Sequence, residues 1–215
     1  MNIPHKTSPT LAINQKVKDL RAQGESVINA GFGENRFPLH PKLKSSDPEF
    51  HTDYESVQGI LPLRKAVSTF YKTINNEDVK SANVIITPGC KGALFSAVAI
   101  LDGDLLLPAP SWVSYAPQAI ISGKKVVHVP TSAAHDYVPT YDELELAHTQ
   151  AVNQGHDPKV LILNYPNNPT SCIATKGQIE DIVRFCKEHD IAVISDEIYS
   201  QLTFHDNEHV KFSDY

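Results

Sequence analysis

Short, uninterrupted apolar runs recur along the chain at Val84–Ile86, Leu105–Leu107, Val126–Val129, Val160–Leu163 and Ala192–Ile194. Longer stretches with apolar positions at helical spacing separate these runs or precede the first. They are Ile60–Ile74, Ala93–Leu101, Ser114–Ile121, Tyr141–Val152 and Lys176–Glu188. A brief continuous apolar run is the signature of a strand buried on both faces. Periodicity alone does not separate such a run from a buried piece of helix. Alternation of the two patterns along the chain does, and it predicts an α/β fold: a mostly parallel sheet, right-handed crossovers and helices on both faces.

The first ~50 residues have a different character. Ser8-Pro9-Thr10 is a helix-opening sequence, and the helix it starts is expected to run to about Gln23, with Gly24 as its stop. Ser26–Ala30 reads as a short strand, and Gly31–Pro48 as a loop-rich stretch containing Pro38, Pro41 and Pro48. Residues 1–48 are therefore expected to form an N-terminal arm or part of a smaller domain, and 49–215 the α/β body, with the boundary near Asp47–Asp53.

Composition narrows the function classes. With 41% hydrophobic and 20% charged residues in 215 positions, the chain can build an ordinary core. A formal charge of −6 and the lack of a basic run argue against a nucleic-acid binder. No apolar stretch is long enough to span a bilayer, and Met1–Thr10 lacks the apolar core of a signal peptide. Cys90, Cys172 and Cys186 are odd in number and widely spaced, which reads as reduced thiols of a cytoplasmic protein. His205 and His209 are four apart in a loop-like segment and supply too few convergent ligands for zinc, so no metal site is expected.

In open parallel sheets, ligands bind beyond the carboxyl ends of the strands. Thr87-Pro88-Gly89-Cys90-Lys91-Gly92-Ala93 follows the first apolar run and opens a helix; it could cradle a phosphate on backbone amides or be a plain tight turn. Pro110-Ser111-Trp112 follows the second; the only tryptophan of the chain could stack on a flat heteroaromatic ring or pack in the core. Asn164-Tyr165-Pro166-Asn167-Asn168-Pro169-Thr170 follows the fourth, dense in amides and prolines, and an asparagine there could donate to a phenolate oxygen. Ser195-Asp196-Glu197-Ile198-Tyr199 follows the fifth. Asp196 there is either a helix cap or a carboxylate awaiting a positive partner such as a protonated pyridine nitrogen. Singly each segment is ambiguous. Together they make the set of parts that holds pyridoxal 5′-phosphate (PLP) as an electron sink.

At this point the sequence resembles a known family. Asn168-Pro169-Thr170 followed by Asp196-Glu197-Ile198-Tyr199 is similar to the class I/II aminotransferases of PLP fold type I. Gly31-Phe32-Gly33-Glu34, Tyr54 with Gly59-Ile60-Leu61-Pro62-Leu63-Arg64, and Pro110-Ser111-Trp112-Val113-Ser114-Tyr115 resemble further segments of that family in the same order. The resemblance implies backbone amides of Gly89, Cys90 and Lys91 on the cofactor phosphate and Trp112 stacked on the ring. It further implies Asn168 and Tyr199 on the phenolic oxygen, and Asp196 on the ring nitrogen. Tyr54 would reach the phosphate of a neighbouring subunit, implying a homodimer, and Gly33 would lie against the substrate carboxylate. The reaction implied is amino-group transfer from an amino acid to a 2-oxo acid; a carbon–sulfur β-lyase of the same fold and a non-catalytic binding protein are the alternatives.

Some positions depart from the family pattern. Asn35 stands where proline is common, and Ser171 where glycine is common, which is expected to alter that loop's backbone; Lys91 stands where the family varies. The family's Schiff-base lysine belongs to a Ser-x-x-Lys segment well after Asp-x-x-Tyr, and no Ser-x-x-Lys follows Asp196–Tyr199 in this sequence. Lys211, the one lysine after Asp196, lies in an unrelated context, His209-Val210-Lys211-Phe212. Residues 1–215 alone are therefore expected to correspond to the front part of such an enzyme. They are expected to lack useful turnover and to bind PLP weakly and non-covalently.

Overall fold

A computed structural model describes residues 9–31, 33, 37–44, 54–204 and 208–215. The chain divides into two compact units, Met1–Ile86 and Thr87–Tyr215. The boundary expected near Asp47–Asp53 lies outside the described residues.

In the first unit, helix α1 spans Pro9–Ala22 and Gly24 follows it at φ +86°, in the left-handed region that stops a helix. A single turn, α2, covers Pro41–Lys44, and α3 covers Leu61–Asn75. Proline in its first turn starts α3, where a missing N–H costs nothing, and Asn76 ends it at φ +52°. Arg64 extends from α3 to donate to the carbonyls of Gly59 (3.0 Å) and Ser81 (2.9 Å), tying the segments on either side of the helix together.

Two expected strands are corrected here. Ser26–Ala30 is not a strand; Ile28 is almost fully exposed, so the segment has no buried face to drive pairing. Val84–Ile86 is not a strand either. Among the described residues it has no ladder: Ile86 N–H donates once, to Gln58 O at 2.9 Å, and Ile85 is 65% exposed. An apolar run becomes a strand only where a neighbouring backbone edge is available.

The second unit holds a four-stranded sheet in the order β2-β1-β3-β4, parallel throughout. Helix α4 (Cys90–Ile100) precedes β1 (Asp104–Ala109); α5 (Tyr115–Ile121) leads to β2 (Val126–Pro130). Helix α6 (Tyr141–Asn153) then crosses to β3 (Pro158–Asn164), and α7 (Lys176–His189) leads to β4 (Ala192–Asp196). These four strands match four of the five predicted runs, and the predicted helices are present within a few residues at each end.

Side chains alternate across the sheet. Leu105, Leu107, Val160 and Ile162 face α4 and α5, with Leu94, Val98, Tyr115 and Ala119. Leu106, Leu161, Leu163 and Val129 face α6 and α7, with Leu144, Ile182, Phe185 and Cys186. Strands sandwiched in this way must be apolar on both sides, which is why they read as unbroken runs. Capping boxes fix where α6 and α7 begin. Thr140 accepts from Glu143 N–H (3.2 Å) while Glu143 accepts from Thr140 N–H (2.8 Å), and Thr175 and Gln178 repeat the arrangement.

Strand succession runs outward from β1 to β2 and then reverses to β3 and β4. The switch lies between β1 and β3, and a crevice opens at the carboxyl ends of these strands.

Candidate functional site

Register places the site's first pair. Asn164 ends β3, Asp196 ends β4, and the two are direct neighbours in the ladder. Asn164 Nδ2 donates to the Asp196 carbonyl at 2.8 Å, and Asn164 Oδ1 accepts from Asn168 N–H at 2.9 Å. One buried amide therefore fixes the end of β4 and the loop after β3 together.

Asp196 is 7% exposed. Among the described residues its carboxylate partners are neutral: the Tyr115 hydroxyl donates to Oδ2 at 2.7 Å and Ile198 N–H to Oδ1 at 3.2 Å. A buried carboxylate held by neutral donors alone carries an uncompensated charge, so the chemistry of this site calls for a cation.

Trp112, in the loop after β1, meets the Tyr115 ring edge-to-face with centroids 5.2 Å apart. The Lys91 ammonium lies 5.4 Å from the centre of the Trp112 ring. Tyr199 follows β4 and its hydroxyl accepts from Asn168 Nδ2 at 3.5 Å, a long contact that brings the two groups side by side.

Gly89 caps α4 at φ +90°, a conformation that disfavours any residue with a side chain. No side chain caps this helix and its first turn holds no acidic residue, which favours an anion there; the Gly89 N–H itself is donated to the Thr87 carbonyl at 2.7 Å. Gln118, buried on α5, donates to the Lys91 carbonyl at 3.0 Å and anchors that first turn.

Cys90, Lys91, Leu94, Trp112, Tyr115, Asn164, Asn168, Asp196, Ile198 and Tyr199 line one cleft of about 150 Å³. Six of the residues predicted from sequence (Cys90, Lys91, Trp112, Asn168, Asp196 and Tyr199) thus share a single cavity. Gly89 stands next to it in the chain as the helix cap. Gly33 and Tyr54 belong to the first unit and are exposed there; Phe32, Glu34 and Asn35 lie outside the described residues. The sequence reading left Tyr115 and Asn164 without roles, although both hold Asp196. Tyr115 sits 81 positions from its partner and Asn164 32, so no local spacing signals either bond.

The electrostatics follow from burial and the Asp196 charge. Burial, and then the hydrogen bond to Asp196, push the Tyr115 hydroxyl far above the ordinary tyrosine range, so it remains a donor at any working pH. Burial, and then the same carboxylate, push the Cys90 thiol up, so it stays protonated near neutrality. Cys90, Cys172 and Cys186 are all free thiols.

The loop after β3 is built on Asn167, whose Oδ1 accepts from Thr170 N–H (3.1 Å) and Thr170 Oγ1 (2.9 Å). Ser171 adopts φ +61°, a left-handed backbone that glycine would take more easily. Among the described residues, no group of three or more His, Cys, Asp or Glu is arranged to hold a metal ion; His205 lies outside them. No described helix is long and apolar enough to cross a membrane.

Comparison with known proteins matches the sequence and the fold to a family. The family model described as aminotransferase class I and II covers residues 26–215. An aspartate aminotransferase of Bacillus subtilis is 32% identical over 213 residues, covering 96% of this chain and 53% of the relative. Aromatic-amino-acid aminotransferase 2 of Thermococcus litoralis is 35% identical over 198 residues, covering 88% and 49%. Among solved structures, the Thermus thermophilus aspartate aminotransferase with maleate superposes with a TM-score of 0.83 at 33% identity. It covers 97% of this chain, which in turn covers 55% of it. The chain spans about half the length of the curated relatives it matches.

Proposed function

Since the chain belongs to the aminotransferase class I and II family, we propose that its cleft holds pyridoxal 5′-phosphate and that the whole protein transfers an amino group from an amino acid to a 2-oxo acid. The observation that carries this reading is Asp196: a carboxylate buried at a strand end, held only by neutral donors among the described residues, in one cleft with the single tryptophan. A protonated pyridine nitrogen is the cation such a carboxylate fits. The other lining groups suit the rest of the same molecule.

In this reading, backbone N–H groups of Cys90 and Lys91 at the start of α4 bind the phosphate, helped by the helix dipole, and the Gly89 N–H joins them by leaving its bond to the Thr87 carbonyl. Trp112 stacks on the ring. The Asn168 amide and the Tyr199 hydroxyl, already side by side, bind the phenolic oxygen. Asp196 keeps a proton on the ring nitrogen. Bound there, PLP supplies an electron sink for the bond-breaking at the substrate's α-carbon. Tyr54 completes the phosphate site of a neighbouring subunit in a homodimer, and Gly33 lies against the substrate carboxylate. The cytoplasm, where the three cysteines stay reduced, is the compartment this reading favours.

Two measurements test the proposal. Equilibrium dialysis of residues 1–215 against PLP is expected to give weak, saturable, non-covalent binding. Asp196→Ala should weaken it about 10- to 100-fold, the scale of an uncompensated charge pair. Product analysis with the whole protein should give a keto acid and a new amino acid in equal amounts, while residues 1–215 alone give none. Binding unaffected by Asp196→Ala, or products from the whole protein other than a keto acid and a new amino acid in equal amounts, would overturn it.

A further inference from the structure

One side chain holds two of the cleft's principal groups. Tyr115 is the first residue of α5 and is 1% exposed. Its hydroxyl donates to Asp196 Oδ2 at 2.7 Å, and its ring meets the Trp112 indole edge-to-face at 5.2 Å. A T-shaped contact fixes the plane of the indole, and a short hydrogen bond fixes the rotation of the carboxylate. Tyr115 also lines the cleft.

Resting on the cofactor reading above, we propose that Tyr115 is a positioning residue that acts through Asp196 and gives the cleft its preference for a ring carrying a protonated nitrogen over one carrying carbon at that place. The physical basis is the geometry of the carboxylate. Ile198 N–H secures Oδ1 and the Tyr115 hydroxyl secures Oδ2, so both oxygens are held before any ligand arrives. A carboxylate held in this way keeps its remaining lone pairs aimed. Remove the hydroxyl and one oxygen is left buried and unpaired. Asp196 is then free to rotate, and the lost aim costs affinity only for a ligand that meets the carboxylate. Because burial keeps Tyr115 protonated, the donor does not switch off with pH.

The test uses Trp112, the single tryptophan, as the reporter. Residues 1–215 are titrated by fluorescence with PLP and with the analogue in which C–H replaces the ring nitrogen, in four forms: unaltered, Tyr115→Phe, Asp196→Asn and the double variant. Tyr115→Phe keeps the ring against Trp112 and removes only the hydroxyl. The expected result is a loss of PLP affinity of about tenfold or more in Tyr115→Phe. The carbon analogue should change by less than about twofold, the size expected for a site it does not use. In the Asp196→Asn background, Tyr115→Phe should have no further effect, because its action runs through that carboxylate. Equal losses for both ligands would mean a merely structural tyrosine and would overturn the inference, as would additive losses in the double variant or an unchanged PLP affinity. If the unaltered chain binds neither ligand, the cofactor reading itself fails, an outcome distinct from these.

Discussion

Asp196 and the residues around it show why the chemistry was only half legible at the level of single residues. Trp112, Asn168, Asp196 and Tyr199 each follow an apolar run, so their place at a strand end was readable. The bonds that make them a site were not, because they join positions 31 to 81 apart. Ser171 makes the complementary point. A serine stands where glycine is common, and its backbone sits at φ +61°, which strains a residue that carries a side chain. Ser171→Gly is therefore expected to stabilise the chain by about 0.5–1 kcal/mol, the relief of a left-handed non-glycine residue less the entropy of added glycine. A denaturant titration reads it, and a loss of stability would show that the serine side chain contributes more than its backbone costs.

Glu197, next to Asp196 in the chain, makes a pH prediction at the same scale. Burial pushes its carboxyl up, but the His209 ring, at 3.1 Å, and the Ser195 hydroxyl, at 2.9 Å, outweigh this and hold it below the ordinary range. A carboxyl with a depressed folded-state pKa contributes stability that is present above its unfolded value and lost as pH falls through the folded one. Glu197→Gln should therefore destabilise the chain near neutral pH, and the difference should shrink as pH falls below about 4.5. Melting curves at several pH values check this, and a difference that grows toward acid would contradict it.

At the scale of elements, the prediction succeeded where pattern and neighbour agreed. β1 and β3 are buried on both faces of the sheet, and their apolar runs say so, while β4 at the edge is only partly covered. Val84–Ile86 has the same composition but no ladder partner among the described residues, and a sequence pattern carries no information about who lies alongside. Helix starts are set more locally. Thr140→Ala and Thr175→Ala each remove a cap that accepts a backbone N–H and should cost about 1 kcal/mol. Phe185, fully buried on α7 among Leu144, Ile182 and Cys186, should cost about 3–5 kcal/mol when cut to alanine, for lost burial and the cavity left behind. Unfolding midpoints in urea separate the two classes; a Phe185→Ala cost as small as a cap would mean that this face collapses to fill the gap.

At the scale of the whole molecule, the parallel order β2-β1-β3-β4 does the organising. Reversal of strand succession between β1 and β3 opens the crevice, and its lining residues reach it from the last residues of β3 and β4, from loops or a helix start beyond the strands' carboxyl ends, or from the start of α4. Charge and aromatic surface are thereby gathered at one edge while the two faces remain apolar. The account's central claim is that this edge binds a flat, anionic ring whose nitrogen meets Asp196. Its most direct test is the fluorescence of Trp112, the sole tryptophan, in residues 1–215 titrated with PLP. Saturable quenching that inorganic phosphate competes away and Asp196→Ala weakens is the predicted result. Quenching that never saturates, or that is indifferent to both phosphate and Asp196, would contradict it.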